Sequence, residues 1–538
     1  MAFVTAEQNT LQASLTYEPQ ELKFGTSGRR GKVVDLTQLE VYLNASAELE
    51  YLQSLGPGEG GIVRGDDFFF ASDLRPSSTR FVAEEGGRGE IAQAIVSAIR
   101  DAGMKPVNLG RIPTPALMSY AVARGKGSIM VTGSHIPFDR NGYKANTSAG
   151  ELLKHHEDPI NERVKEARRR LYAQAAAESL FDERGMFQSG HQDLPEERDE
   201  ARAAWMERFA SFFGGLSLRG RRLLVYQHSA VGRDLLVEVL ERLGAEVVAA
   251  GRSDTFVAID TENIGAPQLA TIQALADEHG SFHAIVSTDG DSDRPLILGM
   301  DGGTGKVHFF GGDLVGMVVA GYLNADAVVV PITCNDAIDR GPLATVVEPK
   351  TMIGSPYVIA GMEQARAHGK KRVCGWEPNG GFLTGSEIER NGSVLPALMT
   401  RDAFLPILGV LSASVESGLP LVDLFARLPR RYSRAALLEQ FPRSRAVGML
   451  DYFRTHEERL AEFFPAAMGF SAIARIDYTD GLRILFENGD VAHLRPSGNA
   501  DELRIYAVAD TQQRADAITA MGVAEPDGTL HRMARCVY

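Results

Sequence analysis

Three carboxylates on alternate residues raise the first chemical question in this chain. Asp289, Asp291 and Asp293 stand in TDGDSDR, and in an extended turn alternate side chains converge on one point. Carboxylates so close repel one another unless positive charge joins them, and a hard divalent cation is the usual remedy. An EF-hand is excluded, because its sixth loop position is Arg294 instead of Gly and its twelfth is Met300 instead of Glu. Apolar HAIVS before the loop and PLIL after it read as buried flanks, which argues against a plain solvated turn. Mg²⁺ fits three carboxylates, with its other positions going to water or a phosphoryl oxygen.

A second loop, TGSHIPFDRNGYK, gathers Ser134, His135 and Lys144 behind the strand-like GSIMV. It is not a serine-hydrolase elbow, since the residues centred on Ser134 are Thr-Gly-Ser-His-Ile. Along an extended chain Ser134 and His135 point to opposite sides, which makes His135 a poor base for Ser134. Alone, the segment reads most simply as a turn without chemistry. A phosphate on Ser134 would instead complete the shell of a metal held by the three aspartates. The sharp exit at Pro137 would present the serine Oγ to an open cleft.

Two further segments look suited to phosphate. FGTSGRRGK (24–32) offers glycines, small hydroxyls, Arg29 and Arg30; RPSGNADELR (495–504) offers Arg495, Ser497, Gly498, Asn499 and Arg504. Free backbone N–H groups beside an arginine fork suit a phosphate dianion. In GWEPNGG, Glu377 and Asn379 could hydrogen-bond vicinal sugar hydroxyls, or form an ordinary Pro-Asn-Gly-Gly turn. Nucleotide loops fail: GGTGKV lacks the earlier glycine and a Ser or Thr after Lys306, and no G-x-G-x-x-G joins a strand to a helix.

The elements that must position these loops alternate between strand and helix. DDFFFASD, KPVNLG, GSIMV, RRLLVYQHS, AEVVAAG, HAIVSTD, AVVVPITC and KRVCGW read as strands, and EIAQAIVSAIRDAG and GRDLLVEVLERLG as helices. Ligands gather beyond the carboxyl ends of strands in open α/β sheets. TGSHIP, TDGDSDR and GWEPNGG each occupy that place, one per α/β unit. The last hundred residues, with Asp-Gly and Asn-Gly turns, read as a meander of short strands. These patterns predict domains at 1–195, 196–303, 304–430 and 431–538, with 173–200 as a surface insertion or linker. Gly103, Val107, Gly110 and Arg111 recur 141 residues on as Gly244, Val248, Gly251 and Arg252. That echo fits either a repeated unit or shared helix–Gly–strand punctuation.

Bulk properties agree with this division. At 538 residues the chain is too long for one core. A net charge of -14 argues against a nucleic-acid or anionic-membrane binder, although local arginines could still hold an anionic small molecule. Three scattered cysteines imply no disulfide framework and a reducing compartment. The N-terminal residues do not read as a signal peptide, and no apolar run reaches the roughly 18 residues of a membrane span. The expectation is a soluble, cytoplasmic protein.

Taken in order, these five motifs resemble those of the α-D-phosphohexomutases, the phosphomannomutase/phosphoglucomutase superfamily. FGTSGRRG is similar to the family's opening GTSG-x-RG loop, TGSHIPFDRNGYK to its phosphoserine loop, and TDGDSDR to its DGD-x-DR metal loop. GWEPNGG falls where the sugar loop lies, and RPSGNADELR where the phosphate loop lies. The resemblance implies an α/β four-domain phosphohexomutase architecture, three α/β mixed-sheet domains plus a C-terminal α+β domain around a central cleft. It implies Ser134 as the phosphoserine beside His135, and Mg²⁺ held by Ser134, Asp289, Asp291 and Asp293. Lys144 would move a proton at the sugar hydroxyl, and Arg30 and Arg294 would flank the transferring group. Glu377 and Asn379 would orient the sugar, while Arg495, Ser497, Gly498, Asn499 and Arg504 would clamp the distal phosphate.

The implied reaction interconverts hexose 1-phosphate and hexose 6-phosphate through a hexose 1,6-bisphosphate, with mannose favoured and glucose the alternative. Phosphoglucosamine specificity and a non-catalytic sugar-phosphate sensor are the competing readings. Several residues depart from the family pattern: Gly133 replaces the usual Ala, Ile136 an Asn, Gly381 a frequent His, and Asn499 a Thr.

Overall fold

The computed structural model describes residues 10–25, 28–262, 264–497 and 501–538. Its first sheet has five strands in the order Arg29–Lys32, Arg140–Asn146, Ser128–Val131, Asp67–Ser72, Lys105–Asn108. Asp67–Ser72 is parallel to both neighbours, and Phe68, Phe69, Phe70 and Ala71 are all buried. A strand covered on both faces is apolar throughout, which is why FFFA does not alternate. The helix Gln38–Ser54 covers one face; Thr37 caps it by accepting the N–H of Glu40.

The second sheet runs Val307–Phe309, Pro295–Met300, Ala284–Thr288, Arg222–His228, Glu246–Arg252. The third runs Ala327–Val329, Val373–Trp376, Phe382–Thr384, Leu398–Asp402. One arrangement recurs in all three sheets. A strand paired in parallel on one side leads through a loop into an antiparallel neighbour: Ser128–Val131 into Arg140–Asn146, Ala284–Thr288 into Pro295–Met300, and Val373–Trp376 into Phe382–Thr384. The three loops made this way are TGSHIP, TDGDSDR and GWEPNGG. The echo at 141 residues is also structural. Gly103 and Gly244 each end a helix with φ of +75° and +91°, while Gly110 follows the edge strand Lys105–Asn108 and Gly251 sits next to last in the edge strand Glu246–Arg252, at +72° and +67°. Those are left-handed conformations that disfavour a Cβ.

The fourth sheet is wholly antiparallel, in the order Tyr432–Leu438, Leu503–Ala509, Val491–Pro496, Leu482–Phe486, Ile473–Asp477. Its last four strands form the expected meander, backed by the helices Arg443–Thr455, Gln512–Val523 and Thr529–Val537.

Core packing divides the chain unevenly. One continuous apolar cluster runs from Phe69 and Leu117 in the first sheet's layer, through Trp205, Phe209 and Val225, to Trp376, Phe404 and Phe425. The helix Glu200–Phe213 stands in that seam, with Trp205 edge-on to Phe209 at 4.8 Å and 5.9 Å from Phe404. The fourth domain keeps a separate core, Leu438 to Ala534. Polar contacts fasten it: Arg431 to Asp336 at 2.6 and 2.8 Å and to Asp510 at 2.7 Å, the Asn335 amide to the Arg431 carbonyl at 3.0 Å, and Arg483 to the carbonyl of Ile332.

The stretch 173–200 is not a plain linker. Phe181 and Phe187 stack at 4.8 Å inside the first domain's core, so two aromatics anchor an otherwise polar segment. Among the described residues no helix is long and apolar enough to cross a membrane.

Candidate active site

The phosphate-type and carboxylate loops meet where the first two sheets face each other. Ser134 takes a left-handed conformation, φ +52°, held by its own N–H on the Thr132 hydroxyl at 2.7 Å. Extended-chain alternation therefore fails here. The turn brings His135 Nδ1 to 3.3 Å from Ser134 Oγ, where the sequence placed the two side chains apart. Nor does the serine face an open cleft. It is 0 % exposed, and its Oγ donates to Asp289 Oδ2 at 2.8 Å, because the second domain's loop packs directly on it.

Asp73 and Arg75 build the floor of this loop. Asp73 Oδ2 accepts from the Thr132 hydroxyl at 2.8 Å and from the Gly133 N–H at 3.3 Å. The buried Arg75 guanidinium donates to the carbonyls of Pro137 and Arg140 at 2.8 Å each, of Ser134 at 3.0 Å, and of Ile136. Phe256 of the second domain covers it, 3.8 Å away. A Cβ on Gly133 would lie 2.6 Å from Arg75 Nε, so this arginine accounts for the glycine at 133.

Asp289, Asp291 and Asp293 are all buried and offer carboxylate oxygens within 4.8 Å of one another. Lys144 Nζ donates to Asp291 Oδ2 at 2.8 Å and to Asp293 Oδ2 at 3.0 Å. The Thr114 hydroxyl adds a bond to Asp291 Oδ2 at 2.7 Å, and Arg401 reaches Asp293 Oδ2 through Nε and Nη2 at 3.1 and 2.9 Å. Burial pushes Asp289 well above the usual carboxylate range, and repulsion from Asp291 and Asp293 adds to it. Burial acts the same way on its two neighbours. Lys144 and Thr114 outweigh it at Asp291, and Arg401, Lys144 and Arg294 at Asp293, so both stay below that range. Asp291 Oδ1 and Asp293 Oδ1 remain buried without a hydrogen-bond partner among the described residues. Two unsatisfied carboxylate oxygens beside a destabilised third are the donor set of a hard divalent cation, so the residues fit Mg²⁺.

Beyond this cluster opens a cavity of about 630 Å³, lined by all four domains. Arg30, His135 and Arg294 stand at one part of its wall, Glu377, Asn379 and Arg401 at another, and Arg495, Ser497 and Arg504 at a third. Burial lowers Arg30 to about 10. His135 is pushed far below its ordinary range, chiefly by Arg294, then by burial and Arg30, so its ring is neutral. Arg495 Nε bonds Asp480 at 3.3 Å, and Arg504 bonds Glu502 at 2.8 and 3.1 Å. Gly498 and Asn499 lie outside the described residues.

Arg29, grouped with Arg30 by sequence, does not reach the cleft. Strand alternation turns it the other way, where it bonds Glu48 at 2.6 Å and stacks on Phe24 at 3.9 Å. Five residues at or beside the site escaped the sequence reading: Asp73, Arg75, Thr114, Arg401 and Glu262. Arg401 bridges two loops, its Nη1 on Glu377 Oε2 at 2.8 Å and its other nitrogens on Asp293. A Cβ on Gly381 would sit 2.5–2.8 Å from the Arg401 stem, so the arginine occupies the space a side chain at 381 would need. One signal was available: the charged pair Arg401-Asp402 interrupts an apolar run, and a charge in such a run implies a buried partner.

Comparison with known proteins agrees with this architecture. The chain matches the phosphoglucomutase/phosphomannomutase descriptions of alpha/beta/alpha domain I over residues 21–170, domain II over 204–302, domain III over 311–432, and the C-terminal domain over 431–524. It is 38% identical to a phosphomannomutase of Sinorhizobium fredii, covering 93% of this chain and 98% of the relative. It is 36% identical to a phosphomannomutase of Salmonella muenchen, covering 92% and 93%. Among solved structures, a phosphoglucomutase/phosphomannomutase family protein of Burkholderia thailandensis superposes with a TM-score of 0.66 at 18% identity, over 95% of this chain and 97% of that one. With all four domains matched in order, the chain belongs to the phosphoglucomutase/phosphomannomutase family and is an intramolecular phosphotransferase.

Proposed function

We propose that the protein is a Mg²⁺-dependent phosphohexomutase that interconverts mannose 1-phosphate and mannose 6-phosphate through phospho-Ser134 and a bound 1,6-bisphosphate. The contact that carries this reading is Ser134 Oγ on Asp289 Oδ2 at 2.8 Å, inside a buried trio of aspartates and beside an arginine-walled cavity. A cation held by Asp289, Asp291 and Asp293 would supply positive charge to the oxygens of the transferring phosphoryl group.

The chain's own residues do the rest. Arg75 and Asp73 fix the serine loop, and the neutral His135 stands against Oγ. Arg30 and Arg294 face the space above the serine and neutralise charge as the phosphoryl group passes, which is where catalysis of such transfers mainly lies. Glu377, oriented by Arg401, accepts sugar hydroxyls. Arg495, Ser497 and Arg504 hold the phosphate that is not reacting. The cavity is large enough for a hexose bisphosphate to turn end for end, so that either phosphate meets the serine. Phosphorylation of Ser134 replaces its bond to Asp289, so the serine and metal loops separate slightly when the group is loaded.

A coupled assay checks the assignment. With Mg²⁺ and a trace of bisphosphate, mannose 1-phosphate should be converted to the 6-phosphate at least as efficiently as glucose 1-phosphate. Preference for glucose would overturn the sugar assignment, and no product from either would overturn the mutase reading.

A further inference from the structure

A mutase must take a proton from the attacking sugar hydroxyl and return one to the departing sugar oxygen. The cleft offers few groups for this duty. Lys144 is held on two carboxylates at 2.8 and 3.0 Å. Glu377 is buried and paired with Arg401 at 2.8 Å. His135 lies against Ser134 Oγ, on the serine's side of the transfer. Asp501 accepts the N–H of Arg443 at 3.1 Å, among the residues of the phosphate-holding domain.

Glu262 differs from all of these. It lines the cavity, is exposed to it, and among the described residues its one hydrogen bond is made by its N–H, leaving the carboxyl without a hydrogen bond or ion pair. Two bonds fix the chain leading up to it. The Glu262 N–H donates to Asp260 Oδ1 at 3.0 Å, and the buried Thr261 hydroxyl donates to the carbonyl of Asn379 at 2.9 Å. That second bond ties the segment to the sugar loop, so an uncommitted carboxyl stands beside the residues that would orient the hexose.

The geometry points to Glu262 as the proton carrier on the sugar side of the reaction, an assignment that rests on the mutase reading above. In the first half-reaction the hydroxyl oxygen forms its bond to phosphorus as its proton passes to the Glu262 carboxylate. The Ser134 O–P bond breaks, and Oγ keeps the electron pair and takes a proton from the solvent, to which that proton is returned in the second half-reaction. In the second half-reaction the bisphosphate has turned, Oγ loses its proton as it is rephosphorylated, and Glu262 returns a proton to the leaving sugar oxygen.

Its surroundings suit the task. Partial desolvation by the cleft walls, which leave the carboxyl open to the cavity, pushes Glu262 up to about 7, Asp260 beside it adds to the rise, and Asp313 and Glu377 contribute in the same direction against Arg294. A carrier that must both accept and donate works best near the ambient pH.

Glu262→Gln tests this. In the wild-type enzyme turnover should fall as the pH drops below about 7, where the carboxylate is lost. The variant should lose kcat by about 10²- to 10⁴-fold with KM little changed, and its pH profile should lose that limb. Glu262→Asp, which keeps the carboxyl, should recover part of the rate and the limb. A Gln variant with wild-type kcat and an unchanged profile would overturn the proposal. So would a rise in KM alone, which marks a residue that only binds sugar. If the wild-type enzyme itself shows no mutase turnover, the mutase reading fails, and the two failures are thereby told apart.

Discussion

Ser134→Ala should lose turnover by about 10⁴- to 10⁶-fold, the scale on which removal of a covalent nucleophile is felt, and added hexose 1,6-bisphosphate should not restore it. The side chain deleted is small and its site is built to hold a left-handed turn, so folding should survive. The loop is fixed by Asp73 on the Thr132 hydroxyl and Gly133 N–H and by Arg75 on four carbonyls, none of which needs the serine hydroxyl. Mass spectrometry of wild-type protein incubated with bisphosphate should find the added phosphoryl group on the peptide containing Ser134, and should find none on the variant. Near-normal turnover by Ser134→Ala would remove the phosphoserine from the mechanism.

Arg401→Met should be costly in a different way. The arginine is 2 % exposed and stands between Asp293 and Glu377, themselves 1 % and 3 % exposed. Burial works against its charge, but Asp293 and Glu377 outweigh it and hold the guanidinium well above its ordinary range. Replacing it with methionine keeps the volume and leaves two carboxylates buried without their shared cation. Breaking a buried pair from one side costs about 3–5 kcal/mol, and the loss should appear as a lower denaturant midpoint. Turnover should fall with it, because the sugar loop and the metal loop lose their common anchor. Arg401→Lys should rescue little, since a single ammonium cannot present two nitrogens to Asp293 and a third to Glu377. A Met variant with an unchanged midpoint and rate would show the bridge to be dispensable.

The loops that carry the chemistry were legible because each is short and local. TDGDSDR, TGSHIP and GWEPNGG end apolar strands, and their residue types can be read without knowing what lies across from them. The helix–strand unit repeated in the first two domains was visible only as a faint echo, because the left-handed glycines at 103, 110, 244 and 251 recur in geometry while most residues between them differ. What escaped depended on conformation or on distance along the chain. One positive φ at Ser134 reversed the relation between serine and histidine. One step of strand alternation separated Arg29 from Arg30. Arg75 and Arg401 meet their partners 59 and 108 residues away, and nothing in DLRPSS or LMTRD announces those partners.

The apolar seam around Trp205 and Phe404 has a thermodynamic consequence for the molecule as a whole. Because the first three sheets complete one another's interiors, none of them has a full interior when detached, while the last domain does. Calorimetry should accordingly record two melting events for four domains: a large cooperative one for residues up to about 430, and a smaller independent one for the remainder.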